Sequence, residues 1–307
     1  MRILPVVLLA VIGSAAAQAQ PSCKLDSDLA GKQDPMSLEL LDRLKGTVAF
    51  GGNNVCSGAL ATFKGRSGSA RAYVLSAAHC VDRGRLQIPM RSGAAIAALD
   101  DGEVLYRADY RRPLTLDTGK SDEPRTCIEA DQVVYGTLTG GDIMLLQLTE
   151  TYEDIERRTG VKPFVVSEDA LFTGGLAVRM PSSLWQTDRE CLVEGTAEKV
   201  KEFKWIWGPV MRLRVDEDTC IAPAGVSGAP AIRKETGEVI GVFGTSGDIA
   251  GADCELNNPC EVKPDGSLVR AAKDQNYVHF AHQFYSCLDA ARDVDLSTPG
   301  CSLPRPK

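Results

Sequence analysis

Leu75-Ser76-Ala77-Ala78-His79-Cys80 carries an apolar strand into a small-residue turn that ends on a histidine. The chain has 3 histidines, the others being His279 and His282. A single histidine is more often structural than catalytic, so the turn gains meaning only from its surroundings. The neighbouring Cys80 adds to it, because a disulfide beside the turn would fix the imidazole.

Two further segments have matching character. Gly140-Gly141-Asp142-Ile143-Met144-Leu145-Leu146-Gln147-Leu148 places an acid at the mouth of an almost wholly apolar run. A buried carboxylate is costly without hydrogen-bond partners. Asp142 reads either as a turn cap or as an acid that orients a histidine. Gly225-Val226-Ser227-Gly228-Ala229-Pro230 sets a serine between glycines in a turn. Gly225 permits a tight backbone in which its N–H and that of Ser227 converge, as an oxyanion hole requires. Serine is a poor nucleophile until a base takes its proton, and that base needs an acid to hold its tautomer. His79, Asp142 and Ser227 supply these three groups in that order.

Short apolar runs surround these segments, broken by Gly, Asn and Asp. Thr47 to Phe50, Ala72 to Leu75, Ile143 to Leu148, Phe164 to Val166, Val210 to Val215 and Val239 to Phe243 read as strands. The texture predicts an all-β sandwich or barrel rather than alternating β-α units. Leu38, Leu40, Leu41 and Leu44 predict a short amphipathic helix within Met36 to Leu44. Phe284, Leu288 and Ala291 predict a short C-terminal helix within Phe280 to Arg292.

The motifs Cys56-Ser57-Gly58-Ala59-Leu60, Leu75 to Cys80, Gly141 to Leu148 and Gly225 to Pro230 make the chain resemble chymotrypsin/trypsin-like serine endopeptidases. Cys191 to Gly195 and Val239 to Phe243 are weaker matches. The resemblance spans about Gly46 to Leu288. It implies a double antiparallel β-barrel with the site in the cleft between barrels. His79 would act as general base and acid, Asp142 would orient it, and Ser227 would attack the peptide carbonyl. The N–H groups of Gly225 and Ser227 would hold the oxyanion, and a Cys56–Cys80 disulfide would brace the histidine loop. The implied partners are protein or peptide substrates. The alternative is a protease-like binding or regulatory protein without turnover.

The chain departs from the family in places. Val226 stands where trypsin-like zymogens carry an Asp that pairs with a newly cut amine, and no Ile/Val-Val-Gly-Gly start precedes Gly46. Activation by N-terminal insertion is therefore not expected, which makes the chain more similar to bacterial relatives such as the glutamyl and lysyl endopeptidases. The specificity pocket is expected at Ile221, Gly244, Thr245, Ser246 and Asn276. Ile221 replaces the trypsin pocket Asp. Gly244 replaces a serine that normally helps hold the acid, unless a one-residue slip puts Thr245 there. Asp248 and Asp253 read as pocket acids or as solvated loop charges. His279 reads as a pocket histidine or as a packed strand residue.

Composition bounds the rest. The chain has 307 residues, 44% of them hydrophobic and 24% charged, and a net charge of -7. It is long enough for a large core and too apolar for disorder. The negative balance argues against a nucleic-acid partner. Residues 1–19 read as an export signal: Arg2, the non-polar run Ile3 to Ile12, then small residues through Ala19. The run is too short for a membrane span. Residues 20–45 read as an arm or propeptide, and 46–307 as the peptidase domain. Its first barrel falls at about 46–150, its second at about 160–285, and its C-terminal helix and tail at 280–307. A secreted or periplasmic monomer is expected.

The 10 cysteines suit disulfides in an oxidising compartment. Connectivity stays open beyond Cys56–Cys80. Cys191–Cys220, Cys254–Cys260, Cys287–Cys301 and Cys23–Cys127 are candidates. A zinc reading of His279 and His282 with Cys254 and Cys260 lacks usual spacing. No ligand spacing supports a calcium loop at Asp248 to Asn258. No metal or cofactor is expected.

Overall fold

The computed structural model describes residues 36–51, 55–81, 99–170, 174–214, 220–247 and 252–307. The export signal and Cys23 lie outside the described residues, as does Asp248.

The first half contains β1 (Thr47–Phe50), β2 (Cys56–Thr62), β3 (Arg71–Ser76), β4 (Val104–Asp117), β5 (Arg125–Thr137) and β6 (Ile143–Thr151). They pair in the order β1-β4-β5-β6-β3-β2, and β1 also pairs with β2. The sheet thereby closes into a six-stranded antiparallel barrel. β7 (Phe164–Val165) adds a parallel edge beside β2.

β8 (Ala177–Ser182), β9 (Thr187–Ala197), β12 (Val210–Leu213), β13 (Pro230–Arg233), β14 (Val239–Ser246) and β17 (Asn276–Phe280) close a second barrel in the order β12-β17-β14-β13-β8-β9. A small sheet of β10 (Val200–Glu202), β11 (Trp205–Trp207), β15 (Cys260–Val262) and β16 (Leu268–Arg270) stands beside it. This is the chymotrypsin-like double antiparallel barrel that the resemblance implies.

The run at the start of β6 has a physical cause. Its even-numbered residues Met144, Leu146 and Leu148 pack in the first barrel with Val48, Leu60 and Val74. Its odd-numbered Ile143 and Leu145 pack under the C-terminal segment with Phe284, Leu296 and Leu303. A strand covered on both faces is apolar throughout rather than alternating. Each such buried side chain contributes about 1.5–3 kcal/mol. The second barrel is filled by Val178, Met180, Val193, Met211, Ile240 and Val278.

The helices differ more from expectation. α1 (Leu38–Leu44) forms, capped by Ser37, whose Oγ accepts the Leu40 N–H at 3.1 Å. Leu41 and Leu44 are buried, but Leu38 is 72% exposed. Arg43 docks α1 on the second barrel through Asp188 at 2.6 Å. α2 (Tyr152–Thr159) is not announced by the strand texture. Its signal is Thr151-x-x-Asp154, whose side chains cap each other's backbone N–H groups. The C-terminal helix is shorter than its apolar spacing suggests. Phe280 ends β17, and His282–Cys287 forms a single 3-10 helix. An antiparallel bridge between Leu288 and Val294 then turns the chain back, and Cys287–Cys301 closes the loop.

Cys56–Cys80, Cys191–Cys220, Cys254–Cys260 and Cys287–Cys301 are all bridged. The candidate Cys23–Cys127 bridge involves a residue outside the described ones. No helix among the described residues is long and apolar enough to cross a membrane.

Candidate active site

His79 lies in a 3-10 turn, Ala78–Cys80, that ends β3. Its neighbour Cys80 is buried and tied to Cys56 at the head of β2. Asp142 follows Gly140 and Gly141 into β6, and only 1% of its surface is exposed. The carboxylate grips the histidine twice. Oδ1 accepts the His79 backbone N–H at 3.0 Å, and Oδ2 lies 2.5 Å from His79 Nδ1. A carboxylate only accepts, so the proton sits on Nδ1 and the lone pair on Nε2. Burial alone would lower the His79 pKa. The charge and hydrogen bond of Asp142 outweigh it and raise the pKa above the usual 6.5. Burial would raise the Asp142 pKa, but the charge and hydrogen bonds of His79 lower it below 3.8.

A second histidine completes the acid's surroundings. His279 on β17 is buried, and its Nδ1 accepts the Asp142 backbone N–H at 3.1 Å. Its proton therefore sits on Nε2, the opposite tautomer to His79. A Cβ on Gly244 would lie 2.4 Å from the His279 Cδ2 and Nε2. The ring thus occupies the space that a serine at 244 would need. Burial lowers the His279 pKa to about 4, which keeps it neutral. Trp207 packs edge-on against the ring at 5.0 Å. His279 is a packed strand residue in contact with the acid, not a pocket-lining one.

Ser227 lies on the loop entering β13 and is half-buried. First-barrel residues hold this loop. The Ser57 N–H donates to the Ser227 carbonyl at 2.8 Å, and Ser57 Oγ donates to the Gly225 carbonyl at 3.2 Å. Cys80 Sγ is 3.8 Å from the Ser227 carbonyl. Gly228 has φ +80°, and a Cβ there would meet Ser76 Oγ at 2.1 Å and the Ser57 carbonyl at 2.2 Å. Only glycine fits this seam. The three segments singled out in the sequence therefore meet at one cleft. Gly225 has φ +90° and is buried. Neither the Gly225 N–H nor the Ser227 N–H has a hydrogen-bond partner among the described residues.

A pocket of about 280 Å³ opens beside Ser227. That is below the range of drug-sized ligand sites and suits a single side chain. Ile221, Gly244, Thr245 and Ser246 line it. Asn276 does not. It is buried behind the wall and donates to the Cys220 carbonyl. Asp274 and Asn257 line the pocket although the sequence did not mark them. Asp274 sits in a polar run that reads as solvated. Asp253 is away from the lining and pairs with Arg270 at 2.8 Å. Glu202 was also missed, because Lys201-Glu202-Phe203-Lys204 resembles a solvated charge run. Its side chain is buried and accepts the Asn257 N–H at 3.0 Å. Burial raises its pKa, and its charge helps raise that of His79.

Cys56, His79 and Cys80 bring potential metal-ligand atoms within 4.8 Å of one another. Both sulfurs are consumed by the disulfide, so this cluster is a bridge beside an imidazole. The cysteines of the zinc reading, Cys254 and Cys260, are likewise bridged to each other.

No family model and no curated protein matches the sequence. Several solved structures are similar. The protease domain of MamO from Magnetospirillum magneticum, in its apo form, is 16% identical over 81% of this chain and 98% of that one, with a TM-score of 0.46. A protease from M. tuberculosis in its active form is 14% identical over 98% and 97%, with a TM-score of 0.44. A Glu endopeptidase in complex with MPD is 10% identical over 81% and 90%, with a TM-score of 0.42. At these values the likeness carries no functional argument, and the fold rests on the strand pairings of the chain itself.

Proposed function

We propose that the protein is an exported serine endopeptidase. One observation carries this reading. The His79–Asp142 pair and the Ser227 loop meet at the seam between two barrels, beside a pocket sized for one side chain. Ser227 Oγ attacks the peptide carbonyl carbon while His79 Nε2 takes its proton. The carbonyl π electrons move to oxygen, and the N–H groups of Gly225 and Ser227 receive the resulting charge. The C–N bond then breaks, and the amine leaves with the proton from His79. Water, deprotonated by His79, releases the acid product and restores Ser227. Asp142 stays ionised, holds the tautomer and stabilises the imidazolium.

Four disulfides among the described residues support an oxidising compartment. Residues 1–19 are proposed as the export signal and 46–307 as the peptidase domain. The Arg43–Asp188 pair and buried Leu44 support residues 38–44 as a retained arm rather than a removed propeptide. The lack of an acid at Val226 supports activity without N-terminal insertion.

A fluorophosphonate probe tests the reading. It should label the folded wild type but neither Ser227→Ala nor heat-denatured protein. A folded wild type that resists labelling would be a silent, protease-like binding protein.

A further inference from the structure

The loop that carries Ser227 has five successive carbonyls, and each one is engaged. The Pro223 carbonyl accepts the Val226 N–H at 3.2 Å, and the Val226 carbonyl accepts the Ala229 N–H at 2.8 Å. Ser57 serves the Gly225 and Ser227 carbonyls, as above. The Ala224 carbonyl is held differently, by the indole Nε1–H of Trp185 at 2.8 Å.

That last bond has a geometric consequence. The Ala224 carbonyl and the Gly225 N–H belong to one peptide unit. In a trans peptide the two groups point in opposite directions. Anchoring the carbonyl on one side therefore aims the N–H to the other. Gly225 cannot oppose this through its own preferences, since at φ +90° glycine moves between backbone states at little cost. Val226 is fully buried and apolar, so its side chain gives the loop no ionic anchor. A Cβ on Gly225 would also meet Leu184 Cδ2 at 2.5 Å and Trp185 Nε1 at 3.3 Å.

Trp185 is well placed to act as a fixed point. It lies in the four-residue turn between β8 and β9, packs against the second-barrel core, and follows Ser183 and Leu184. Ser182, the last residue of β8, shares a 2.8 Å hydrogen bond with Ser57, the residue that holds the other two carbonyls. One short hairpin thus holds the loop directly through Trp185 and indirectly through Ser57.

We infer that Trp185 is a positioning residue whose indole N–H locks the Ala224–Gly225 peptide so that the Gly225 N–H faces the cleft. The inference rests on the serine-peptidase reading for its chemical consequence, but the lock itself is a structural statement. Losing one oxyanion donor costs about 100- to 1,000-fold in kcat when the donor is lost outright. Loss of the lock leaves the N–H available part of the time, so Trp185→Phe should lower kcat on the order of 10- to 100-fold. KM and the thermal midpoint should change little. Affinity for a peptide aldehyde, whose adduct places an oxyanion in the hole, should fall with kcat. Trp185→Ala should lose no more than Trp185→Phe, because the donor and not the ring is what matters.

The test compares wild type and Trp185→Phe by crystal structure, peptide hydrolysis and aldehyde inhibition. A reoriented Ala224–Gly225 peptide in Trp185→Phe, with the kinetic loss above, bears the proposal out. A peptide that keeps its orientation overturns it whatever the activity. An unchanged kcat and aldehyde affinity in Trp185→Phe also overturn it. A folded wild type that neither labels nor hydrolyses would reject the peptidase reading alone, and the peptide orientation would still decide the role of Trp185.

Discussion

The two sides of the cleft are built by different means. On the first-barrel side, His79 and Asp142 are fixed by side-chain hydrogen bonds and charge, in a place where burial opposes both ions. On the second-barrel side, Ser227 is fixed by backbone hydrogen bonds, glycines at positive φ and contacts across the seam. The first arrangement depends on which charges are present. The second depends on which backbone shapes are allowed. Substitutions should therefore act through electrostatics on one side and through conformation on the other.

On the proposed chemistry, removing His79 or Ser227 should have the largest effect. Ser227→Ala and His79→Ala should each lower kcat/KM by about 10⁴-fold or more, with a thermal midpoint near wild type. The double variant should lose little beyond either single one. Additive losses would show that the two sides do not work as one unit.

Asp142→Asn should come next, at roughly 10³- to 10⁴-fold in kcat. The amide can donate to His79 Nδ1 and so favours the wrong tautomer. A loss under 10-fold would show that the first-barrel side does not rely on charge.

Gly244→Ala tests the space beside His279. A new Cβ would meet the ring at 2.4 Å, and Asp142 Oδ2 is also near, at 3.6 Å. Overpacking of this kind costs about 1–3 kcal/mol. Denaturant unfolding measures it, and an unchanged midpoint would mean that the ring moves freely.

The smallest expected effect is in the pH profile. The His79 pKa is raised above 6.5, and the general base proposed there works only when neutral. Activity should therefore fall as pH drops through a midpoint above 6.5. His279 titrates in the opposite sense. Its folded pKa, about 4, lies below the unfolded value, so the unfolded state takes up its proton first. Its contribution to stability should be lost as pH falls from about 6.5 toward 4. His279→Asn, which keeps an acceptor for the Asp142 N–H, should flatten that acid-side loss in denaturant titrations from pH 7 to 4.

The fold was legible because both barrels use local patterns. Short apolar runs bounded by turn residues gave β1, β3, β6, β12 and β14 within a few residues. The start of β6 was plain because burial on both faces leaves no polar alternation to obscure it. α2 was missed because its capping pair sits within a polar stretch. The C-terminal helix was over-extended because Phe284 and Leu288 are buried, as an amphipathic helix would bury them, yet a disulfide and a strand bridge end the turn early. The pocket was read only in part. Ile221 and the β14 wall follow from distance along the chain to Ser227, whereas Asp274 and Asn257 arrive from segments far away in sequence.

By itself the sequence determined the strand texture, the turn chemistry of the glycines, and three segments holding a histidine, an acid and a serine. These are local properties, set by residue type and spacing. Only the tertiary structure decided that Asp142 has a histidine on each side in opposite tautomers. It also decided that Gly244 makes room for one of them and that Trp185 holds the Ala224 carbonyl. Those relations join residues up to 137 positions apart, such as Asp142 and His279. Closing two barrels against each other creates them, and no pattern along one stretch of chain records which side chains that closure brings into contact.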